Sequence, residues 1–101
     1  MNQFYAVFIS GGEWEDMKMF DTMEKAKRYV LAMFNSAISR GLRNYYDMDH
    51  YHIEEYIYSP EEDQYKCSYK SYALKRSENP LTLYEEIKLD QKNIDDFFYI
   101  I

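Results

Sequence analysis

The stretch FDTMEKAKRYVLAMFNSAISRG, residues 20–41, decides the fold because it has the pattern of an amphipathic helix. Its apolar residues recur at steps of three and four, which places them on one side of a helix with about 3.6 residues per turn. These residues are Met23, Ala26, Val30, Met33, Phe34, Ala37 and Ile38. Asp21 is predicted to cap the first turn, with Glu24 completing a capping box, and Gly41 to end the helix. We therefore expect a helix over 21–40 that buries one side.

The polar residues of this stretch fall mostly on the opposite side, which we expect to face water. They are Glu24, Lys25, Lys27, Arg28, Asn35, Ser36, Ser39 and Arg40. A single amphipathic helix cannot cover its own apolar stripe, so the remaining chain must supply a facing layer.

Two strand-like segments precede the helix. Residues 3–10 are apolar on both alternating faces, which is typical of an interior strand. Gly11 and Gly12 favour a tight hairpin into a second strand over 13–20. The first forty residues are therefore predicted to run strand, hairpin, strand, helix.

Two more strands are predicted after a connector at 42–49. Residues 50–59 alternate well enough for a third strand, and Pro60 with three acids after it predicts a turn. Residues 64–76 then return as a fourth strand and pair with the third as a hairpin.

The C-terminal quarter leaves alternatives open. Residues 81–89 match a period of two and favour a strand, although Asn79 and Pro80 suit the start of a helix equally well. The tail carries apolar residues at helical spacing, which predicts a short docked helix or a tail buried in a partner or a second copy. They are Ile94, Phe97, Phe98 and Ile101.

The expected fold is α+β, a single domain over residues 1–101. We expect an antiparallel sheet of four to five strands with one long helix packed on one face. The element order is ββαβββ, with the option of a short C-terminal helix.

Composition narrows the classes of function. The formal net charge of −6 disfavours general binding to nucleic-acid phosphates or anionic lipid. Cys67 is the one cysteine, so neither a disulfide framework nor a cysteine-based zinc site is expected. No apolar run has the length of a membrane span, and we expect a cytoplasmic protein that has no cofactor and no membrane association.

The tyrosine content points to a contact surface. Twelve tyrosines and an aromatic share of 19% exceed what an ordinary core uses. Tyrosine is frequent at interfaces because it covers a large area at little entropic cost. The candidate binding residues for a protein partner or a second copy are Tyr56, Tyr58, Tyr65, Tyr69, Phe97 and Phe98. The alternative is that the tyrosines only fill the half-exposed face of a thin sheet.

Three alternative sites accompany this one. His50, His52 and Glu54 project from one face of a strand and have the donor types of an open metal site, although a solvated strand face fits the same pattern. The residues 64–76 suit a stacking platform for single-stranded nucleic acid. Its members are Tyr65, Tyr69, Tyr72, Lys66, Lys70, Lys75 and Arg76. The acidic run at 47–63 suits an inhibitor that occupies the groove of a host DNA-binding or defence enzyme.

Residues 3–58 resemble a family of small viral proteins. The shared features are the strand FYAVFIS, the glycine hairpin at Gly11 and Gly12, an acidic second strand, and a helix opening on F-D-T-x-E-x-A at 20–26. These features are similar to those of the mostly uncharacterised β-β-α-β accessory proteins that phages and large DNA viruses encode. The resemblance implies an intracellular viral accessory or virion-associated protein, in the host cytoplasm or the virion, and supplies no catalytic residues. We therefore expect a non-enzymatic binding protein.

Overall fold

The computed structural model describes residues 2–9, 17–41, 51–75, 79–89 and 93–101. Its elements are β1 (Gln3–Ile9), β2 (Lys18–Phe20), α1 (Met23–Ser39), β3 (Tyr51–Ser59), β4 (Gln64–Leu74), α2 (Pro80–Leu89), a 3₁₀ helix (Ile94–Phe97) and β5 (Phe98–Ile100). The fold is α+β, as the sequence predicts, with α1 packed against one face of an antiparallel sheet. No helix in the described ranges is long and apolar enough to cross a membrane.

The described part of the sheet has five strands in the order β2-β1-β3-β4-β5. All neighbours are antiparallel, and β1 lies inside the sheet as its apolar pattern predicts. The predicted hairpin between the third and fourth strands is confirmed as β3 and β4. The predicted glycine hairpin, the start of the second strand and the 42–49 connector lie outside the described residues.

The β3–β4 hairpin closes on the predicted turn after Pro60. Asp63 ends this turn with a φ of 52°, the left-handed conformation that aspartate adopts more readily than most residues. The pairing shifts register between Glu54 and Tyr56, so the two halves of the hairpin are joined by an irregular stretch of β4.

The start of α1 differs from the prediction by one residue. Thr22, and not Asp21, is the N-cap, because the Thr22 side chain accepts a hydrogen bond of 3.2 Å from the Lys25 backbone N–H. The Asp21 carboxylate instead pairs with the Lys25 ammonium at 2.9 Å. The predicted end is confirmed, since Gly41 follows the helix with a φ of 115°.

Helix α1 buries more of its circumference than its apolar stripe indicates. Its buried residues are Ala26, Lys27, Val30, Leu31, Phe34 and Ile38. Lys27 was expected on the polar side and is only 7% exposed. The reason is that α1 contacts the sheet on one side and both α2 and the 3₁₀ helix on another.

The strand predicted over 81–89 is wrong, because Pro80–Leu89 form α2. The Asn79 side-chain Oδ1 accepts the Leu81 backbone N–H at 3.1 Å, so the alternative reading of Asn79 and Pro80 as a helix start is confirmed. Leu83 and Ile87, four residues apart, are buried in the core. The predicted period of two was fortuitous, since this segment also satisfies the helical period.

The tail forms the third strand after α1 in place of 81–89. Residues 94–97 make one turn of 3₁₀ helix, and Phe98–Ile100 pair with β4 as an edge strand. Ile94, Phe97 and Phe98 enter the core. The tail therefore docks on its own domain, with a helix shorter than predicted.

Candidate functional site

The face of the sheet opposite α1 carries the candidate site. Val7 and Ile53 belong to the core beneath α1, so alternation along β1 turns Phe4, Ala6 and Phe8 to the opposite face. In the register of β1 and β3 these three residues stand opposite Tyr56, Glu54 and His52. We call this surface the aromatic face and define it by Phe4, Phe8, His52, Tyr56, Tyr58 and Tyr65.

Four of its rings form one connected cluster. Phe4 stacks on Tyr56 with a centroid distance of 5.0 Å and an interplanar angle of 5°. The Phe4 ring also meets Tyr65 edge-on at 5.0 Å, and Tyr65 lies 5.4 Å from Tyr58. These distances are those of favourable aromatic pairs. Since the members come from β1, β3 and β4, the cluster ties three strands together, and we call it the ring cluster.

Two carboxylates accept hydrogen bonds from two of the three tyrosine hydroxyls in the ring cluster. The Tyr56 hydroxyl donates to Glu54 Oε2 at 2.9 Å, and the Tyr58 hydroxyl donates to Asp63 Oδ1. Burial first, and then the hydrogen bond and charge of Glu54, raise the pKa of Tyr56 to about 12. The hydrogen bond to Asp63 is the main cause that raises the pKa of Tyr58. Both hydroxyls therefore stay protonated, and their orientation is fixed.

A second stack lies further along the same face. Phe8 and His52 are nearly parallel, with centroids 5.2 Å apart. His52 Nε2 lies 3.6 Å from Glu54 Oε1, so Glu54 stands between His52 and the ring cluster. His50 lies outside the described residues, and no group of three or more potential metal ligands occurs among those that are described.

The other face of the sheet, on the side of α1, contains a separate buried carboxylate. Glu55 is 8% exposed on the α1 side of β3, so Glu54 and Glu55 point to opposite faces, as neighbouring strand residues do. Burial and then Glu55, through its charge and a hydrogen bond, raise the pKa of Tyr5. This pair belongs to the core layer and is not part of the aromatic face.

The structure unites only some of the predicted binding residues. Tyr56, Tyr58 and Tyr65 lie together in the ring cluster. Tyr69 belongs to β4, but its side chain is outside what the structure describes. Phe97 and Phe98 are 6% and 7% exposed, so they pack in the chain's own core and are not presented to a partner.

The predicted nucleic-acid platform is divided between the two faces. Tyr72 pairs with Ile53 on the core side, while Tyr65 pairs with Tyr58 on the aromatic face, as the alternation predicts. Lys66 stands opposite Ile57, which lies on the α1 side of β3, and it forms an ion pair with Glu62. Arg76 lies outside the described residues. Among the platform residues whose register is described, Tyr65 therefore lies on the face opposite to Tyr72 and Lys66.

Sequence reasoning missed three residues of the site. Phe4 and Phe8 were assigned to an interior strand without a role, although aromatic residues four positions apart in a strand share one face. The sequence predicts Asp63 only as part of the turn after Pro60 and of the acidic run, and its bond to the Tyr58 hydroxyl could not be foreseen from spacing.

No family model, curated protein or solved structure matches this chain. Any statement about its function therefore depends on the geometry of the site.

Proposed function

We propose that this chain is a non-enzymatic protein-binding module whose contact surface is the aromatic face. The ring cluster of Phe4, Tyr56, Tyr58 and Tyr65 is the observation that carries the proposal. Tyr65, at the hairpin end, is 42% exposed, and the other members are half-buried. The cluster is thus supported from the sides and partly open to a partner.

Interlocked tyrosines suit binding for a thermodynamic reason. A ring that is already fixed by its neighbours loses little further entropy when a partner covers it, so more of the contact energy appears as affinity. The hydroxyl bonds to Glu54 and Asp63 fix these rings further. Aromatic residues are also the commonest energetic centres of protein interfaces.

The same hydrogen bonds support a non-enzymatic role. A tyrosine that acts as a base or nucleophile needs a lowered pKa, whereas the pKa of Tyr56 is raised to about 12. The neighbouring Glu54 carboxylate stabilises the neutral form of the Tyr56 hydroxyl. The raised pKa therefore counts against the Tyr56 hydroxyl as a base or nucleophile.

The resemblance of residues 3–58 to viral accessory proteins supplies the proposed context. A small acidic protein that binds a host or virion protein through one sheet face fits that context, and the net charge of −6 favours a protein partner over nucleic acid.

Site-specific crosslinking tests the proposal. A photo-crosslinking phenylalanine analogue would replace Tyr65 in the full chain, and in a control chain it would replace Leu89, which is 87% exposed at the end of α2. We expect a protein adduct from position 65 in expressing cells that is missing from position 89. The Tyr58→Ala change should reduce the adduct without unfolding the chain, because Tyr58 packs on Tyr65 outside the core.

The identity of the adduct decides between the candidate functions. An adduct with a second copy of this chain would assign the face to self-association. Three results would overturn the proposal. They are an adduct with nucleic acid, equal adducts from both positions, and no adduct at position 65.

A further inference from the structure

We infer that the hairpin end of the aromatic face receives arginine side chains from an extended, basic segment of a protein partner. This inference rests on the proposed function and names the chemistry of the partner. Its basis is the combination of exposed ring surface with carboxylates that retain free acceptor sites.

The carboxylates on this surface have acceptor capacity left. Glu54 Oε2 accepts from Tyr56 and Glu54 Oε1 lies 3.6 Å from His52 Nε2, while Asp63 Oδ1 accepts from Tyr58. An ionised carboxylate offers about four lone-pair positions, so these contacts leave acceptor positions for a guanidinium. Glu61 is exposed in the same turn as Asp63 and adds to the negative potential there, whereas Lys66 balances the charge of Glu62.

The lysines of the paired sheet positions do not neutralise this potential. Lys18 stands opposite Val7 and Lys66 opposite Ile57, which places both on the α1 side of the sheet. Lys66 is in addition paired with Glu62. Lys75 follows the far end of β4, away from the turn. Lys70 is exposed in the irregular stretch of β4, outside the paired positions. Even with this lysine counted, the carboxylates of Glu54, Glu61 and Asp63 leave the hairpin end negative, so it attracts a cation.

The rings select arginine among the cations. A planar guanidinium stacks on an aromatic ring and can donate two parallel hydrogen bonds to a carboxylate at its edge. Tyr65 offers the exposed ring, and Glu54 and Asp63 flank the ring cluster on its two sides. A lysine ammonium is more strongly hydrated and cannot make the bidentate contact, so it should bind more weakly.

The strand positions of the two tyrosine–carboxylate pairs set the form of the segment. Residue 54 of the first pair and residue 58 of the second lie on one strand, roughly 13 Å apart at about 3.3 Å per residue. An extended peptide repeats the same spacing between side chains at positions i and i+4 on one face. The segment that fits has two arginines separated by three residues.

Calorimetry with synthetic peptides tests the inference on the full chain. The probe is a short, extended Gly/Ser peptide with arginines at i and i+4, and its comparison peptides carry lysine or glutamate at those positions. We expect the arginine peptide to bind at least about threefold more tightly than the lysine peptide, and the glutamate peptide not to bind.

The variants separate a specific site from general attraction. Combining Glu54→Gln with Asp63→Asn should weaken the arginine peptide at least about tenfold, and asparagine tolerates the φ of 52° at position 63. The matched control, Glu85→Gln with Glu86→Gln, removes the same charge from the exposed surface of α2 and should change binding by less than about twofold.

Equal weakening in both double variants would overturn the inference, and so would the absence of arginine-peptide binding. The proposed function fails separately. If the position-65 adduct persists while the arginine peptide neither binds nor competes with it, the face binds a protein of another chemistry.

Discussion

Lys27 carries a positive charge in a buried position. Its ammonium bonds Asp95 Oδ1 at 2.8 Å and lies over the rings of Tyr72 and Phe98, at 5.1 and 5.5 Å from their centroids. The Lys27 side chain is 9% exposed, whereas that of Asp95 is 82% exposed. The two halves of the pair are thus unequal, because only the lysine has given up its hydration.

Because only Lys27 is buried, substitutions of Lys27 and of Asp95 should affect stability differently. Lys27→Met keeps the buried stem and leaves Asp95 in water, so unfolding free energy should stay within about 1 kcal/mol of wild type or rise. Asp95→Ala leaves a buried ammonium without its anion and should cost about 1–3 kcal/mol. Urea denaturation measures both, with the exposed Asp96→Ala as control. A larger loss for Lys27→Met would contradict this account.

Tyr56 predicts a dependence of stability on alkaline pH. Its pKa in the folded chain is raised from 10.0 to about 12, so the folded chain holds this proton more tightly than the unfolded chain. The resulting stability is fully present below about pH 10 and is lost as pH rises toward 12. Over this pH range, the unfolding free energy of Tyr56→Phe should fall by about 1–2 kcal/mol less than that of the wild type. The rise of the Tyr56 pKa from 10.0 to about 12 would alone give a larger difference, but the ring is partly exposed and solvent screening reduces the effect.

The comparison is made by denaturant unfolding across the alkaline range. Tyr99→Phe, a tyrosine 48% exposed on β5, is the matched control and should keep the wild-type profile. An unchanged slope in Tyr56→Phe would show that burial and Glu54 do not raise the pKa of Tyr56 in the folded chain.

At the scale of elements, helix α1 and the β3–β4 hairpin follow from local signals alone, whereas the local signals of α2, an Asn79 cap and a period of two, point to different structures. Helix α1 has a capping side chain, a long apolar period and a terminal glycine. Residues 81–89 satisfy two periods at once, and the helix is chosen because Leu83 and Ile87 then both pack into the core shared with α1.

The cap of α1 gives a direct element-level prediction. Thr22→Ala removes the acceptor for the Lys25 backbone N–H and should lower unfolding free energy by about 1 kcal/mol. Asp21→Ala removes an exposed ion pair and should change unfolding free energy clearly less than Thr22→Ala does. Thermal unfolding of the two variants measures the difference. The reverse ranking would restore Asp21 as the effective cap.

At the scale of the whole molecule, the last nine residues complete a core that the first forty begin. Ile94, Phe97 and Phe98 join Val7, Phe34 and the other buried residues in one cluster. The Lys75 backbone N–H bonds the Phe97 carbonyl at 2.9 Å, and the Ile101 N–H bonds the Ser71 carbonyl at 2.9 Å. The tail is therefore structural, although its outermost side chains are exposed.

Truncation separates the two parts of the tail. A chain ending at Asn93 loses three buried apolar side chains, worth together about 5 kcal/mol or more, which is comparable to the whole stability of a small domain. We expect it to be unfolded or loosely packed by near-ultraviolet circular dichroism. A chain ending at Tyr99 keeps the three buried side chains and loses Ile100 and Ile101, which are 72% and 68% exposed, together with the backbone hydrogen bond from Ile101 to Ser71. It should stay folded and lose about 1 kcal/mol. A cooperative unfolding transition in the chain that ends at Asn93 would show that the core forms without the tail.

The sequence by itself determined the α+β class, the position of α1, the interior place of β1 and the β3–β4 hairpin. Each follows from periodicity, capping or turn chemistry within a short window of chain. The same local information put the cap one residue early at Asp21, since both Asp21 and Thr22 have side chains able to cap.

Only the tertiary structure decided the helical state of 80–89, the burial of Lys27 and the entry of Phe97 and Phe98 into the core. These outcomes depend on which surfaces α1 offers to distant segments. The ring cluster is of the same kind, because Phe4, Tyr56 and Tyr65 meet through strand register across more than sixty residues of chain. Long-range register is set by the joint burial of all the strands, and no short window of sequence contains it.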